Sequence, residues 1–337
     1  MTKTKSTILA VGAAGKFASL VVPELAKRGA KVRGLVRDAK QGKSVIKNGA
    51  TEVAVGDLND RASLNAALKG VDSVFYIAPA FIPNEVAIGK GMVEAAKQAG
   101  VRRFVFSSVI DPILGALINH AAKGPVEEAI MASDMEYTFL HPTLFFQNYA
   151  QAWSTVVKTG SYAEPWSAET RFSRVDYRDV AEVAAIALTE DRLNFGTFEL
   201  CAEGNLNRKD VAVLMSEVLG RKIKAASLSP EKLAEISKGR GGKNEPSPMK
   251  AMFDWYDAHG MVGNPHQRQQ HHRQFKSQPH VKPEFADEAD VILCAPLEPP
   301  DAEPVGIHLR RRRRPRHQDE ITEGHAEQKQ PDPEKNP

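Results

Sequence analysis

The chain has 337 residues, of which 42% are hydrophobic and 26% are charged, with a formal net charge of +3. This composition is typical of a globular protein with a sizeable core, and it excludes a collagen, a mucin or a wholly disordered chain. No apolar run approaches the roughly 18 residues that cross a bilayer, so we expect no membrane span. Two cysteines are too few for a disulfide framework or a zinc cage, and they fit a reducing, cytoplasmic location.

The first predicted elements are a strand at Ile8–Val11, a glycine turn and a helix. The strand is a continuous apolar run, as expected in a parallel sheet that is covered on both faces. The glycines that follow would let the backbone approach a pyrophosphate at the N-terminus of the helix, where free N–H groups favour an anion. We therefore predict that the turn contacts a dinucleotide through Gly12, Ala13, Gly15, Lys16 and Phe17.

The second strand, Val32–Val36, indicates which dinucleotide the site would take. In such sheets a carboxylate at the end of this strand binds the ribose 2′-hydroxyl, whereas an arginine accommodates a 2′-phosphate. Here the strand is followed by Arg37 and Asp38. Arg37 therefore predicts NADP, with NADPH preferred over NADH. The alternative is an exposed arginine paired with Asp38, since such surface pairs are common and weak.

The alternation of strands and helices continues beyond residue 50. Strands are predicted at Glu52–Val55, Ser73–Ile77 and Phe104–Phe106, and helices at Arg61–Leu68 and Asn84–Ala99. This alternation indicates an α/β fold with a doubly wound parallel sheet, whose ligands bind beyond the carboxyl ends of the strands. Further cofactor contacts are therefore predicted at Asp57, Leu58, Ala78 and Pro79, with Ser107 at the same rim.

The stretch Tyr137–Asn148, with the sequence YTFLHPTLFFQN, is the most specific part of a family resemblance. Together with the glycine turn, Arg37, Gly56–Leu58 and Ser107–Val109, it resembles the NmrA-like branch of the atypical short-chain dehydrogenase/reductases. The resemblance extends over about residues 7–263. It implies a Rossmann domain that binds NAD(P). Members include NAD(P)H-dependent reductases of quinones, azo dyes or phenylpropanoids, and regulators that bind the dinucleotide without turning it over.

The resemblance also assigns regions and contacts. It implies a dinucleotide-binding core at residues 1–150 and a smaller substrate-side region at residues 151–263. Within the most specific stretch, Pro142 and Thr143 resemble the family's turn that touches the face of the nicotinamide. His141 ends an apolar strand at the ligand-bearing edge, where a structural hydrogen bond and a substrate contact are both open.

The candidate catalytic residues lie around one helix. Ordinary short-chain dehydrogenases carry Tyr-x-x-x-Lys, in which the tyrosine donates a proton and the lysine holds the nicotinamide ribose. Here Asn119 stands in the place of the tyrosine and Lys123 keeps the place of the lysine, so the resemblance implies that Lys123 contacts the ribose hydroxyls. His120 could protonate a reduced substrate, or it could be a packing histidine. Ser107 could position substrate, or it could cap the next turn.

Aromatic residues gather in the substrate-side region. They are Phe145, Phe146, Tyr149, Trp153, Tyr162 and Trp166. Flat apolar walls with a few polar groups suit a quinone-like or aromatic substrate, and plain core packing is the alternative. Two functions therefore stay open: an NADPH-dependent reductase, which the aromatic residues favour, and a dinucleotide-sensing regulator with a protein partner, which the loss of tyrosine at position 119 favours.

The remaining elements are predicted as supporting structure. Asp179 is expected to cap a helix through Leu188, and Asn207 a helix from Arg208 to Leu219, with a strand at Phe198–Leu200 between them. A last helix is predicted at Met252–Met261. The glycine-rich basic stretch at residues 238–243 could be a lid or a plain linker.

Residues 264–337 differ from the rest in composition. They hold 11 of the 21 prolines and 7 of the 10 histidines but 2 of the 24 glycines, and neither tryptophan nor tyrosine. Such a segment has little to bury against its ordering entropy, so we predict a disordered tail, added as a late fusion or an out-of-frame extension. Its basic run Arg310–Arg314 lacks interleaved aromatic residues, which favours a solvated charge run over a nucleic-acid contact. Deletion of residues 265–337 should leave the melting temperature and cofactor binding nearly unchanged.

Overall fold

The structure, a computed structural model, describes residues 6–79, 81–237 and 248–263. Within these ranges the strands are β1 (Thr7–Val11), β2 (Lys31–Val36), β3 (Glu52–Val55), β4 (Ser73–Ile77), β5 (Arg103–Ser107), β6 (Glu136–Pro142), β7 (Leu144–Phe145), β8 (Ser161–Glu164), β9 (Phe172–Val175), β10 (Gly196–Leu200), β11 (Asn205–Leu206) and β12 (Lys224–Ser227). The helices are α1 (Ala18–Lys27), α2 (Gly42–Lys47), α3 (Arg61–Leu68), α4 (Glu85–Gln98), α5 (Ile118–Ala121), α6 (Gly124–Met131), α7 (Ala150–Thr159), α8 (Tyr177–Thr189), α9 (Arg208–Leu219), α10 (Pro230–Ser237) and α11 (Pro248–His259).

The main sheet has seven strands among the described residues, in the order β10-β6-β5-β4-β1-β2-β3, and its neighbouring strands are parallel. The chain builds outward from β1 through β2 and β3, and then returns to the other side of β1 with β4. The strand order therefore reverses at β1, which is where such sheets bind ligands. The predicted doubly wound parallel sheet is confirmed.

Helices cover both faces of this sheet. On one face α1 and α8 pack over an apolar cluster that includes Val21, Val22 and Leu25, all fully buried. On the other face the cluster joins α3, α4 and α6 to the sheet. Each fully buried aliphatic side chain of this kind contributes roughly 1.5 to 3 kcal/mol of hydrophobic stabilisation. Both α8 and the edge strand β10 follow residue 150, so two elements of the predicted substrate-side region complete the sheet layer.

A smaller layer stands at the carboxyl edge of the sheet. It contains the short sheets β11-β9-β7 and β12-β8, with α7 and α9 beside them. Its core includes Tyr149, Trp153 and Tyr162, each of which is buried. These three aromatic residues are therefore core packing, the alternative that the sequence left open. Phe145 and Trp166 keep part of their surface exposed.

Some predicted boundaries are wrong, for local reasons. Asp176 caps α8 by accepting a hydrogen bond from the Arg178 N–H, and Asp179 lies inside the first turn. The predicted cap Asn207 is confirmed. Helix α11 ends at His259, because Gly260 adopts a φ of +64° and Met261 then pairs with Phe172.

The predicted lid or linker at residues 238–243 and the predicted tail at residues 264–337 lie outside the described residues. In the part of the chain that the structure describes, no helix combines the length and apolar character needed to traverse a lipid bilayer.

Candidate functional site

The glycine turn forms an open backbone surface directly after β1. Gly12 has a φ of +69°, and a Cβ added there would meet no atom within 4 Å. Gly15 N–H donates to the Gly12 carbonyl at 2.7 Å, so a Cβ on Gly15 would lie only 3.0 Å from that oxygen. Ala13 N–H donates to the Leu35 carbonyl of β2 at 3.1 Å. The turn is therefore fixed by glycine geometry and leaves the space above Gly12 free.

The helix that follows carries an uncapped, positively polarised end. At the N-terminus of α1, Phe17 provides no side-chain cap, and the first turn has no acidic residue. The free N–H groups and the helix dipole make this end suitable for an anion. Lys16 adds a cation: its ammonium donates to the Gln147 carbonyl at 2.9 Å, and partial burial lowers the pKa of Lys16.

Arg37 and Asp57 lie exposed beyond the ends of β2 and β3. Hydrogen bonds from the backbone and side chain of Asn59 lower the pKa of Asp57, and the positive charge of Arg37 adds to this effect. Asp38 has another role, because its carboxylate accepts a hydrogen bond from Lys40 N–H at 2.9 Å and caps the short turn that follows. Among the other predicted contacts after β3 and β4, Ala78 is buried, and Leu58 and Pro79 are half-buried.

Ser107, at the end of β5, is bonded to a buried tyrosine. Its hydroxyl lies 2.9 Å from the hydroxyl of Tyr177, the first residue of α8. Burial raises the pKa of Tyr177, so this hydroxyl stays protonated near neutral pH. The rings of Phe17 and Phe145 pack on Tyr177 with centroid distances of 4.7 and 5.0 Å. Ser107 is thereby linked to the loop that precedes α1.

Lys123 lies in the break between α5 and α6. The break occurs there because Pro125 is accepted only in the first turn of a helix. Lys123 is 5% exposed, and its ammonium pairs with the Glu85 carboxylate of α4 and donates to the Asn119 carbonyl at 3.3 Å. The predicted ribose contact stays a prediction.

His120 meets a tyrosine that comes from α11. Its Nε2 atom lies 3.2 Å from the hydroxyl of Tyr256. Burial lowers the pKa of His120, which favours the neutral ring near pH 7. Burial also raises the pKa of Tyr256 to about 12, and a hydrogen bond from the Asn119 side chain opposes this rise. A tyrosine hydroxyl therefore lies beside Asn119, although residue 119 is not itself tyrosine.

His141 is buried and is hydrogen-bonded to a partly buried glutamate. Its Nε2 atom lies 2.8 Å from a carboxylate oxygen of Glu127, which also accepts from the hydroxyl of Ser108. Thr143 is held as well, since its hydroxyl donates to the Leu200 carbonyl at 3.3 Å. Pro142 is buried at the end of β6. The structure thus gives His141 a structural hydrogen bond, one of its two alternatives.

Sequence reasoning missed four partners: Glu85, Glu127, Tyr177 and Tyr256. A helical spacing gave weak evidence that Glu127 faces the core, because it lies three positions before the core residue Ile130 on one face of the helix. Glu85 follows Asn84 at a helix start, where an acidic residue is ordinary and indicates no distant partner. Both tyrosines reach the site from elements far along the chain, and no local pattern reports such contacts.

The sequence matches the profile of the NmrA-like family over residues 4–292. This range includes the first part of the predicted tail. Among curated proteins, the NAD(P)H azoreductase of Xenophilus azovorans is 32% identical over 238 residues, which are 69% of this chain and 81% of the relative.

Two solved structures share the fold. The triphenylmethane reductase of Citrobacter sp., in complex with NADP(H), has a TM-score of 0.65 at 22% identity and covers 77% of this chain and 92% of its own. The negative transcriptional regulator Nmra has a TM-score of 0.58 at 19% identity, with coverage of 76% and 82%. With the family profile matching most of its length, the chain belongs to the NmrA-like family.

Proposed function

We propose that the protein is an NAD(P)H-dependent reductase of a quinone-like or aromatic acceptor and that it prefers NADPH. The observation that carries the proposal is the open glycine turn before the uncapped end of α1, at the point where the strand order reverses. The azoreductase and triphenylmethane reductase support the type of reaction, because each is a reductase and shares sequence or fold with this chain.

The residues present fit a nicotinamide dinucleotide. A Cβ on Gly12 would fill the space where the backbone could approach a pyrophosphate, and the N–H groups of α1 and the Lys16 ammonium supply positive charge there. Arg37 would bind a 2′-phosphate, since a guanidinium matches phosphate in geometry and charge. Lys123 would hold the nicotinamide ribose. These assignments favour NADPH over NADH.

The bound cofactor would supply a hydride to the acceptor. The side chains of this protein orient the two partners and manage the proton. Phe17 and Phe145 retain exposed ring surface beside the glycine turn and would stack against a flat acceptor. Ser107 and His120 are the candidate proton carriers, and each is hydrogen-bonded to a tyrosine hydroxyl that could replace the proton it gives up. A reduced quinone is an anion that water can also protonate, so the asparagine at position 119 is compatible with this reaction.

A regulatory role is the second candidate. It is favoured by Asn119, which has no acidic hydroxyl, and by the fold shared with the transcriptional regulator. In that role the same turn and helix end would bind the dinucleotide, and the protein with bound dinucleotide would have a different affinity for a protein partner.

Turnover separates the two roles. Purified full-length protein is mixed with NADPH and a panel of quinones and azo dyes, and the nicotinamide absorbance is followed. A reductase consumes NADPH with at least one acceptor, faster than an equal amount of the Lys123→Ala variant. Tight NADPH binding without consumption for any acceptor would contradict the reductase and favour the regulator.

A further inference from the structure

A single buried carboxylate joins two segments that we assign to the cofactor. Glu85 lies in the first turn of α4 and is 3% exposed. One of its oxygens accepts a hydrogen bond from the Lys123 ammonium, and the other accepts one from the backbone N–H of Phe81 at 3.2 Å. Glu85 thus connects the lysine before α6 with the backbone that follows β4 and Pro79.

The backbone at Phe81 needs such support. Its φ of +62° is a left-handed value that disfavours any residue with a Cβ. Phe81 packs against the apolar cluster that contains Ile110 and Phe172. The hydrogen bond to Glu85 satisfies a partly buried N–H and so helps to hold this conformation.

The direction of the Lys123 side chain also depends on Glu85. A buried ammonium is stable only when it is paired and hydrogen-bonded. Asn119 supplies a carbonyl, but the pairing negative charge comes from Glu85, 38 residues earlier in the chain. Removing that charge would leave Lys123 free to turn toward water.

We propose that Glu85 is a positioning residue for the nicotinamide half of the cofactor. It acts through Lys123 and through the Phe81 backbone, without touching the cofactor itself. This inference rests on the proposed function. It concerns only one half of the dinucleotide, because Arg37 and Asp57 lie beyond β2 and β3, on the far side of β1 from β4 and α4.

The test compares two ligands on the Glu85→Gln variant. Glutamine keeps an oxygen that can accept from Phe81 N–H but loses the charge that pairs with Lys123. The dissociation constant for NADPH should rise about tenfold, the effect of losing one charge-assisted contact. The dissociation constant for 2′,5′-ADP, which lacks the nicotinamide ribose, should change less than about twofold. Glu94→Gln, an exposed change on the same helix, should alter neither constant.

A matched pair of variants covers a failure of Glu85→Gln to fold. Lys123→Met and the double variant Glu85→Gln/Lys123→Met both lack the buried ammonium. They should bind NADPH equally, because Glu85→Gln removes the charge that pairs with Lys123 and keeps an oxygen that accepts from Phe81 N–H. A double variant that binds NADPH a further tenfold more weakly than Lys123→Met would overturn the proposal. The proposal would also be overturned if Glu85→Gln weakened the binding of NADPH and 2′,5′-ADP equally, or weakened the binding of neither. Wild-type protein that binds neither ligand would instead overturn the proposed function, and this inference with it.

Discussion

The two halves of the candidate site are built in opposite ways. On the side of β1 to β3, the groups that would bind the dinucleotide are backbone N–H groups of an open turn and an exposed arginine, Arg37. On the side of β5 and β6, four candidate side chains are buried and each is bonded to another side chain. These pairs are Ser107 with Tyr177, Lys123 with Glu85, His120 with Tyr256, and His141 with Glu127.

This difference predicts different responses to mutation. Exposed side chains contribute little to folding, so a change at Arg37 should affect ligand binding alone. A change at Gly12 should affect ligand binding most, with only the strain of its positive φ as a cost to stability. Removing one partner of a buried hydrogen-bonded pair leaves the other unsatisfied, which costs about 1 to 3 kcal/mol. Changes in the second half should therefore lower the free energy of unfolding as well.

The largest effect is expected at the glycine turn. Gly12→Val should weaken NADPH binding by about a thousandfold, because the side chain would occupy the space where the pyrophosphate approaches. Gly70→Val is the matched control: its φ of +71° is nearly the same and it also has no atom near its Cβ, but it lies between α3 and β4. The free energy of unfolding should fall by about 1 to 2 kcal/mol in both variants, because both place a Cβ at a positive φ. Equal NADPH affinities in a titration would show that the turn does not bind the cofactor.

The next effect concerns the choice of dinucleotide. Arg37→Asp should weaken NADPH by about a hundredfold, since a guanidinium–phosphate contact becomes a repulsion between anions, while NADH should change little. Lys69→Asp makes the same change in charge at an exposed residue after α3 and should leave both affinities nearly unchanged. Parallel losses for NADPH and NADH at Arg37 would remove its assigned role with the 2′-phosphate.

The buried half is tested at Glu127. Glu127→Ala deprives both His141 and Ser108 of their acceptor, and we expect the free energy of unfolding in urea to fall by about 2 kcal/mol. Glu128→Ala, the exposed neighbour on the same helix, should change it by less than about 0.5 kcal/mol. A Glu127 variant as stable as the Glu128 variant would mean that the buried hydrogen bonds contribute nothing.

The smallest effect is a dependence on pH at His120. Its folded-state pKa lies below the ordinary value of 6.5, so the unfolded chain takes up a proton at a pH where the folded protein does not. The free energy of unfolding should therefore decline as the pH falls from about 7.5 to below 6.5, before most carboxylates titrate. His120→Gln should flatten this decline, and His259→Gln, at an exposed position, should not. A slope that survives in His120→Gln would assign the effect to another group.

Local patterns in the sequence were sufficient for the sheet. β3 and α3 occupy the predicted residues, because a short apolar run at Val53–Val55 and a capping Asp60 are both local signals. The Asp176 cap was missed, since Asp179 in the same turn offers an equally good carboxylate and only backbone geometry distinguishes them. The partners of Ser107 and His120 could not be predicted, because their hydroxyl groups come from residues 70 and 136 positions away.

The central claim is that the open turn and the uncapped end of α1 bind a reduced nicotinamide dinucleotide. Isothermal titration calorimetry of the full-length protein with NADPH tests it most directly. We predict a saturable heat with one site per chain, weaker with NADH and lost in Gly12→Val. No heat of binding with NADPH or with NADH would contradict the claim.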